Sequence, residues 1–356
     1  MKCLVVGAGP TGLTVALEFA RQGVHVDIVD AKDKPSELSR AVGILPNSIR
    51  ILNKSGAGER IVKESVKYEQ IFIHRDNVTL LSLKIPTLPN KADFMLGLPQ
   101  NRTEQLMSER LKEMGVDVRY GTKVTQVSSS ETSATVTFEN GKSVTYDWVI
   151  GADGVRSTVR ESMGIAFNGY ELDEDWSIAD VELANGYEPV IRAWMLQGEH
   201  KERDALIMIP IAEGRVRLIS STPDSLAAIP LSLDVRTVRR SGTFKISVRQ
   251  AEHYVMQRVI LAGDAAHAHS PVGGRGMNLG IADAAAAVEA ILENTTTQYG
   301  ITRRKTAGTV IRSTEAIRKI LVSNNPFALF VLRLVTWFIQ NTPFIQKKFF
   351  NFAVRL

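Results

Sequence analysis

A glycine run set between a short apolar strand and an amphipathic helix constrains this chain more than any other feature. Cys3-Leu4-Val5-Val6 reads as a buried strand, and Gly7-Ala8-Gly9-Pro10-Thr11-Gly12 follows at once. Leu13, Ala16, Leu17 and Ala20 then recur at helical spacing until Gly23. A second strand, Val24 to Val29, ends in Asp30, 18 residues beyond Gly12. Strand, glycine turn, helix and strand with a terminal acid form the fingerprint of a Rossmann dinucleotide site. One glycine makes the turn, one lets backbone N–H groups approach a pyrophosphate, and one lets helix and strand pack closely. The helix N-terminus at Pro10 and Thr11 adds partial positive charge, and Asp30 is placed to accept hydrogen bonds from a ribose. Outside such a setting the same string also serves plain tight turns, and a strand-end acid is often only a solvated charge.

Two more glycine-and-acid segments follow. Val116–Tyr120, Val124–Val127, Ala134–Phe138 and Val144–Ile150 read as a β-meander, the last two strands joined by the hairpin signal Asn140-Gly141. The meander delivers Gly151-Ala152-Asp153-Gly154, with a helix expected to start near Ser157. Taken alone, this segment reads equally well as a capped turn. Farther on, the buried strand Val259–Ala262 runs into Gly263-Asp264-Ala265-Ala266-His267 and then Pro271-Val-Gly-Gly-Arg-Gly-Met-Asn-Leu279, before an alanine-rich helix expected from about Gly280 to Glu293. Gly273, Gly274 and Gly276 bring backbone close to something flat or charged, with a helix N-terminus aimed at it.

The three segments in this order resemble the class A flavoprotein monooxygenases, the para-hydroxybenzoate hydroxylase fold, over roughly residues 1 to 320. The specificity lies in Gly-Asp-Ala-Ala-His-x-x-x-Pro-x-Gly-Gly-x-Gly-Met-Asn, residues 263–278. The resemblance implies an α/β fold: a Rossmann-type FAD-binding domain with an interleaved β-sheet substrate domain and C-terminal helices. FAD-binding parts are expected at 1–67, 98–165 and 250–320, substrate-sheet parts at 68–97 and 166–249, and basic apolar helices at 321–356.

Residue by residue, the resemblance implies that Asp264, after Gly263, binds the FAD ribitol, and that Pro271 and Gly274 sit beside the isoalloxazine. Gly276, Met277 and Asn278 would contact its pyrimidine edge. Asp153 and Gly154 would face the pyrophosphate side in a motif shared between FAD and NAD(P)H. Arg40, Gln100 in Leu98-Pro99-Gln100, and Val124 would complete the cofactor contacts. Backbone donors at a helix end would stabilise the anionic reduced flavin. Two departures stand out. Asp30 replaces the family's usual glutamate, one methylene shorter, which implies a longer or water-bridged ribose contact. The stretch Pro223–Phe244 lacks a helix that relatives commonly insert, which implies a more open substrate pocket or one shaped by another subunit.

The implied activity is hydroxylation of a small aromatic or polycyclic substrate with O2 and NADPH or NADH, through a C4a-hydroperoxyflavin. No side chain is assigned as the catalytic acid or base. No second G-x-G-x-x-G string is present for the nicotinamide cofactor, in keeping with a transient reductant. Two other readings stay open: an FAD-dependent reductase or desaturase of a lipid-like substrate, and a flavin-binding protein without turnover. A halogenase would call for W-x-W-x-I, which none of the four tryptophans provides. Trp176, Trp194 and Tyr170 read as strand packing rather than substrate contacts.

Composition narrows the partners. His267-x-His269 has no matching set of further ligands, so no metal is expected. One cysteine, Cys3, allows no intrachain disulfide, and together with the lack of an export signal it suggests the cytoplasm. The net charge of +5 sits in the tail: residues 316–356 hold six basic residues and no acid, leaving 37 basic against 38 acidic elsewhere. A neutral body argues against nucleic-acid binding. In the tail, Asn325-Pro326 reads as a cap and first helical residue, Phe327–Ile339 is nearly all apolar, and Asn341-Thr342-Pro343 restarts a helix with Ile345, Phe349, Phe352 and Leu356 on one face. Thirteen residues fall short of the roughly twenty needed to span a bilayer. Two readings remain for 326–356: peripheral contact with an anionic membrane, and a helical pair packed on the body.

Overall fold

The computed structural model describes residues 1–35, 41–76, 78–85, 95–198, 203–231, 233–323, 325–342, 344–346 and 348. Two large sheets carry it. The first runs Val255–Met256, Val259–Leu261, Trp148–Gly151, Lys2–Val6, His25–Val29, Val118–Arg119, and is parallel except at its first pair. Its central strands are buried along their length, as a sheet covered on both faces requires. Helix Pro10–Arg21 packs on it, and helices Gly276–Leu292 and Gln100–Glu113 pack against that helix.

The second sheet has seven strands in the order Val235–Phe244, Trp176–Leu183, Arg215–Ser220, Arg203–Ala212, Val190–Gln197, Gln70–Arg75, Val78–Lys84. All neighbours are antiparallel except Val190–Gln197 with Gln70–Arg75. The stretch read as missing a helix, 223–244, therefore ends in a ten-residue edge strand. Trp176 and Trp194 are buried in this sheet's packing, as expected for strand aromatics. The Tyr170 hydroxyl donates to Glu315 at 2.9 Å.

The expected meander is corrected at both ends. Val118–Arg119 pairs with His25–Val29 in the parallel sheet and not with Val124–Ser129. The run Val144–Ile150 is two strands: Ser143–Tyr146 pairs with Ala134–Phe138, and Trp148–Gly151 enters the parallel sheet. Asp147 marks the changeover. Its N–H donates to the Lys2 carbonyl at 2.9 Å and its carboxylate accepts from the Lys2 N–H at 2.6 Å, so the chain crosses sheets with its polar groups satisfied. Hydrophobic alternation ran through this crossing without a break, which is why it read as one strand. The alanine-rich helix also begins earlier than expected, at Gly276 and not Gly280. Gly276, Met277 and Asn278 thus form its first turn.

Cys3 lies in the core of the first strand, where burial pushes its thiol up to about 12. In the tail, Pro326–Asn341 is a helix whose start is tied by the Phe327 N–H donating to Asn325 Oδ1 at 2.9 Å. It rests on the body through Leu332 and Ile339, against Leu80, Met195, Leu81 and Leu83. The expected second tail helix falls largely outside the described residues, including Pro343, Phe349, Phe352 and Leu356.

Candidate FAD site

The three glycine-and-acid segments meet at the carboxyl ends of the central parallel strands, the edge where open α/β sheets bind ligands. Val6, Gly151 and Leu261 end neighbouring strands, and the glycine turns leave from them side by side. Gly7 takes φ 103°, and a Cβ there would lie 2.3 Å from the Ala152 carbonyl oxygen of the second segment. At Gly12 a Cβ would lie 1.8 Å from the Gly7 oxygen. Gly9 differs from both. Its backbone is ordinary extended chain, and a Cβ there would meet nothing within 4 Å.

Thr11 joins the first segment to the third. A Cβ on Gly263 would stand 2.4 Å from Thr11 Oγ1, and one on Gly280 would stand 2.2 Å from it, so the hydroxyl sits between two bare backbones. Arg160 joins the second to the third, its guanidinium donating to the carbonyls of Ala265 at 3.0 Å and Val155 at 2.9 Å. Asn278 ties the third to the segment around Leu45. Its Oδ1 accepts from the Leu45 N–H and the Ser48 hydroxyl, both at 2.8 Å, and its Nδ2 donates to Gly43 and Gly274, both at 2.9 Å. All four hydrogen-bonding positions of that buried amide are taken by protein, so its side chain works as a clasp.

The carboxylates divide the same way. Asp30 Oδ2 accepts from the Ala8 N–H of the glycine loop at 2.7 Å and Oδ1 from the Lys32 N–H at 2.8 Å, fixing the loop from the next strand. Asp153 turns into its own helix and accepts from the Ser157 hydroxyl at 2.5 Å and the Val159 N–H at 3.1 Å. Burial pushes the Asp153 carboxyl up, against those hydrogen bonds. Ser157 caps that helix through the Arg160 N–H at 3.0 Å, as its sequence position suggested. Asp264 is exposed. Gly154 stands beside it in kind, with φ 81° and open space at its Cβ position.

Of the remaining expected residues, Gln100 begins its helix and accepts from the Ala41 N–H at 3.3 Å while donating to Glu104 at 2.7 Å. Val124 and Met277 are core side chains. Pro271 closes a turn by accepting from the Gly274 N–H at 2.9 Å. Arg40 lies outside the described residues.

Several residues at the site had no role in the sequence reading. Asp283, fully buried beneath the third segment, accepts from the Gly263 N–H at 3.2 Å, from Arg303 Nε at 2.6 Å, and pairs with His267 Nε2 at 2.5 Å. Burial alone would raise its carboxyl, but His267 and Arg303 outweigh that and hold it low. A lone acid amid Ile281, Ala282 and Ala284 was the available signal. Arg217, buried in the seven-stranded sheet, forks onto Asp180 at 2.6 and 2.7 Å and reaches the Ala41 carbonyl at 3.3 Å, where that sheet meets the cradle. Val272 of the third segment packs into the same sheet against Trp176, Ile178 and Ile219.

Burial pushes His269 down to about 4, with the neighbouring His267 adding to the effect. An unfolded chain would protonate this ring near its ordinary 6.5, so between about pH 6.5 and 4 it binds more protons than the fold does. The stability due to the neutral ring is present above pH 6.5 and is lost as pH falls through this window, at up to about 1.4 kcal/mol per pH unit. His269→Asn is expected to flatten the thermal-midpoint profile over that window. A parent profile already flat there would contradict the assignment.

The residues present fit FAD. Helices Pro10–Arg21 and Gly276–Leu292 both begin without a side-chain cap and without an acid in the first turn, leaving their N-terminal N–H groups for an anionic ligand. A Cβ on Gly9 would enter open space, and Asp264 is exposed. Among the described residues no His, Cys, Asp and Glu cluster suited to a metal occurs.

The sequence matches the family described as FAD binding domain over residues 1–301. This chain belongs to that FAD-binding family. Rifampicin monooxygenase of Streptomyces venezuelae is 30% identical over 298 residues, covering 79% of this chain and 62% of that protein. Para-nitrophenol 4-monooxygenase of a Pseudomonas strain, WBC-3, is 29% identical over 339 residues, covering 85% of this chain and 82% of that protein. Among solved structures, a p-nitrophenol 4-monooxygenase of Pseudomonas putida superposes with a TM-score of 0.86 at 23% identity, over 99% of this chain and 97% of that one. Anhydrotetracycline hydroxylase of Streptomyces rimosus gives 0.80 at 26%, over 99% and 76%. The FAD-binding chain spans 62% and 61% of the lengths of two curated rifampicin monooxygenases it matches.

Proposed function

We propose that this chain is an FAD-dependent monooxygenase that uses NADPH or NADH and O2 to hydroxylate a small aromatic or polycyclic molecule. The observation that carries the reading is the convergence of three distant segments on one sheet edge, with Thr11 seated between Gly263 and Gly280. The relatives with matching sequence are named monooxygenases of rifampicin, nitrophenol and tetracycline precursors, which supports the reaction class. No feature of the structure favours the reductase, desaturase or turnover-free alternatives.

Bound FAD would supply the redox chemistry, taking electrons from the nicotinamide and activating oxygen. The chain's own residues supply position and charge. The helix N-terminus at Pro10 and the N–H groups of the glycine loop would hold the pyrophosphate, with Asp30 fixing that loop through Ala8. Asp264 would hold the ribitol. The first turn at Gly276 and Met277 would aim backbone donors at the electron-rich edge of the ring, kept in place by the Asn278 clasp. The sheet face carrying Arg217 and Ile219, closed against Val272, would exclude water over the reacting region.

Substrate-stimulated NADPH oxidation, screened over phenols, quinone precursors and polyketides with matched O2 uptake, tests this. One class is expected to raise the rate at least tenfold. A colourless protein that takes up no added FAD would overturn the reading, as would product formed without O2 consumption.

Peripheral membrane contact through 326–356 is a second reading, carried by the apolar surface that helix Pro326–Asn341 leaves exposed. Among the described residues no helix is long and apolar enough to cross a membrane.

A further inference from the structure

We infer that helix Pro326–Asn341 is a side-on docking surface for a leaflet containing anionic phospholipid, an inference that rests on the reading of peripheral membrane contact. The helix uses one narrow side for the body: Leu332, Thr336 and Ile339, spaced four and three residues apart, face the strand Val78–Lys84. Phe327, Phe330, Val331, Leu334, Val335, Trp337 and Phe338 face outward. Phe327 is 73% exposed, Phe330 63% and Trp337 57%. Scattered single apolar residues on a surface need no explanation, but a continuous aromatic and aliphatic band along a helix of 16 residues does. A helix apolar on nearly every side is ordinarily buried on every side.

Charge selects the occupant. From Ala316 onward the chain has six basic residues and no acid. Arg318 is already paired with Glu315 at 3.1 Å, whereas Lys319, Arg333 and Lys348 are exposed. A second copy docked by the same face would bury Arg333 against like charge, and an unpaired buried guanidinium is strongly unfavourable. A leaflet accommodates the same residue without that cost. Its aliphatic stem lies along the acyl boundary while the guanidinium reaches headgroup phosphates. Phe and Trp beside it suit the boundary between headgroups and chains. The apolar band provides depth, and the acid-free tail provides selection for negative lipid.

Trp337 supplies the readout. Trp148, Trp176 and Trp194 are buried, so a change in the polarity around tryptophan on lipid binding reports the one exposed indole. The full chain, with FAD, is mixed with vesicles of phosphatidylcholine alone and of phosphatidylcholine with phosphatidylglycerol. Emission shift and co-sedimentation are read at low and high salt. Expected are a blue shift and sedimentation with the anionic vesicles, weakened by salt. Arg333→Gln should weaken that binding about fivefold, and the pair Phe330→Ser with Leu334→Ser should abolish it. Circular dichroism and flavin absorbance confirm that the variants fold. Equal binding to both vesicles would leave membrane contact standing and overturn the anionic assignment. No binding to either would overturn both, as would a lipid-free dimer in which Trp337 is already shielded or capture only by a partner protein.

Discussion

Gly9→Val is expected to fold as the parent does and to lose FAD by about a hundredfold in affinity, roughly 2.7 kcal/mol. Its neighbour Gly12→Ala is expected to lose the fold itself. The contrast follows from geometry. At Gly9 the backbone is extended and a Cβ meets nothing within 4 Å, so valine enters free space at a cost to stability of only about 1 kcal/mol. That free space lies over the loop whose N–H groups would face the pyrophosphate. At Gly12 a Cβ would stand 1.8 Å from the Gly7 oxygen, and the turn between strand Lys2–Val6 and helix Pro10–Arg21 must open to admit it. A loss above about 4 kcal/mol belongs to that class of change. Chemical denaturation of the flavin-free proteins, together with flavin titration, separates the two. If Gly9→Val binds FAD like the parent, the nucleotide does not lie over this loop.

Asp283→Ala is the second large effect. The carboxylate is wholly buried between Arg303 and His267 and holds the Gly263 N–H. Removing it strands a guanidinium in the interior, a change worth about 3–5 kcal/mol. It also frees the turn that presents Asp264, so flavin should dissociate faster even where the protein remains folded. Asp283→Asn keeps an acceptor for Gly263 but not the charge, and is expected to fall between parent and alanine. Urea unfolding and flavin release are the measurements. Parent-like stability in Asp283→Ala would show that the charges are not coupled as the distances indicate.

The cradle was legible because its requirements are local. A glycine turn between a strand and a helix can be read within thirty residues, and Asp30, Ser157 and the turn at Asn140-Gly141 follow from short-range rules. What escaped were pairings between distant residues. Nothing near Asp283 in sequence shows that Arg303 and His267 come to it, and nothing near Asn278 shows that Leu45 and Ser48 fill its amide. The same limit governed Val144–Ile150, where the change of sheet at Asp147 is set by Lys2 at the far end of the chain. Asp153 was a plausible ligand residue by its glycine setting. Its carboxylate is used by Ser157 and Val159, a local capping role that the adjacent helix start already allowed.

Thr11 lies between Gly263 and Gly280, more than 250 residues later in the chain. Synthesis therefore completes the first strand–turn–helix unit long before its counterpart leaves the ribosome. Contacts of such long sequence separation form slowly, and a nascent chain holds only half of the nucleotide cleft. Flavin capture is accordingly expected late in maturation. In refolding from denaturant, quenching of flavin fluorescence should lag the recovery of helical circular dichroism.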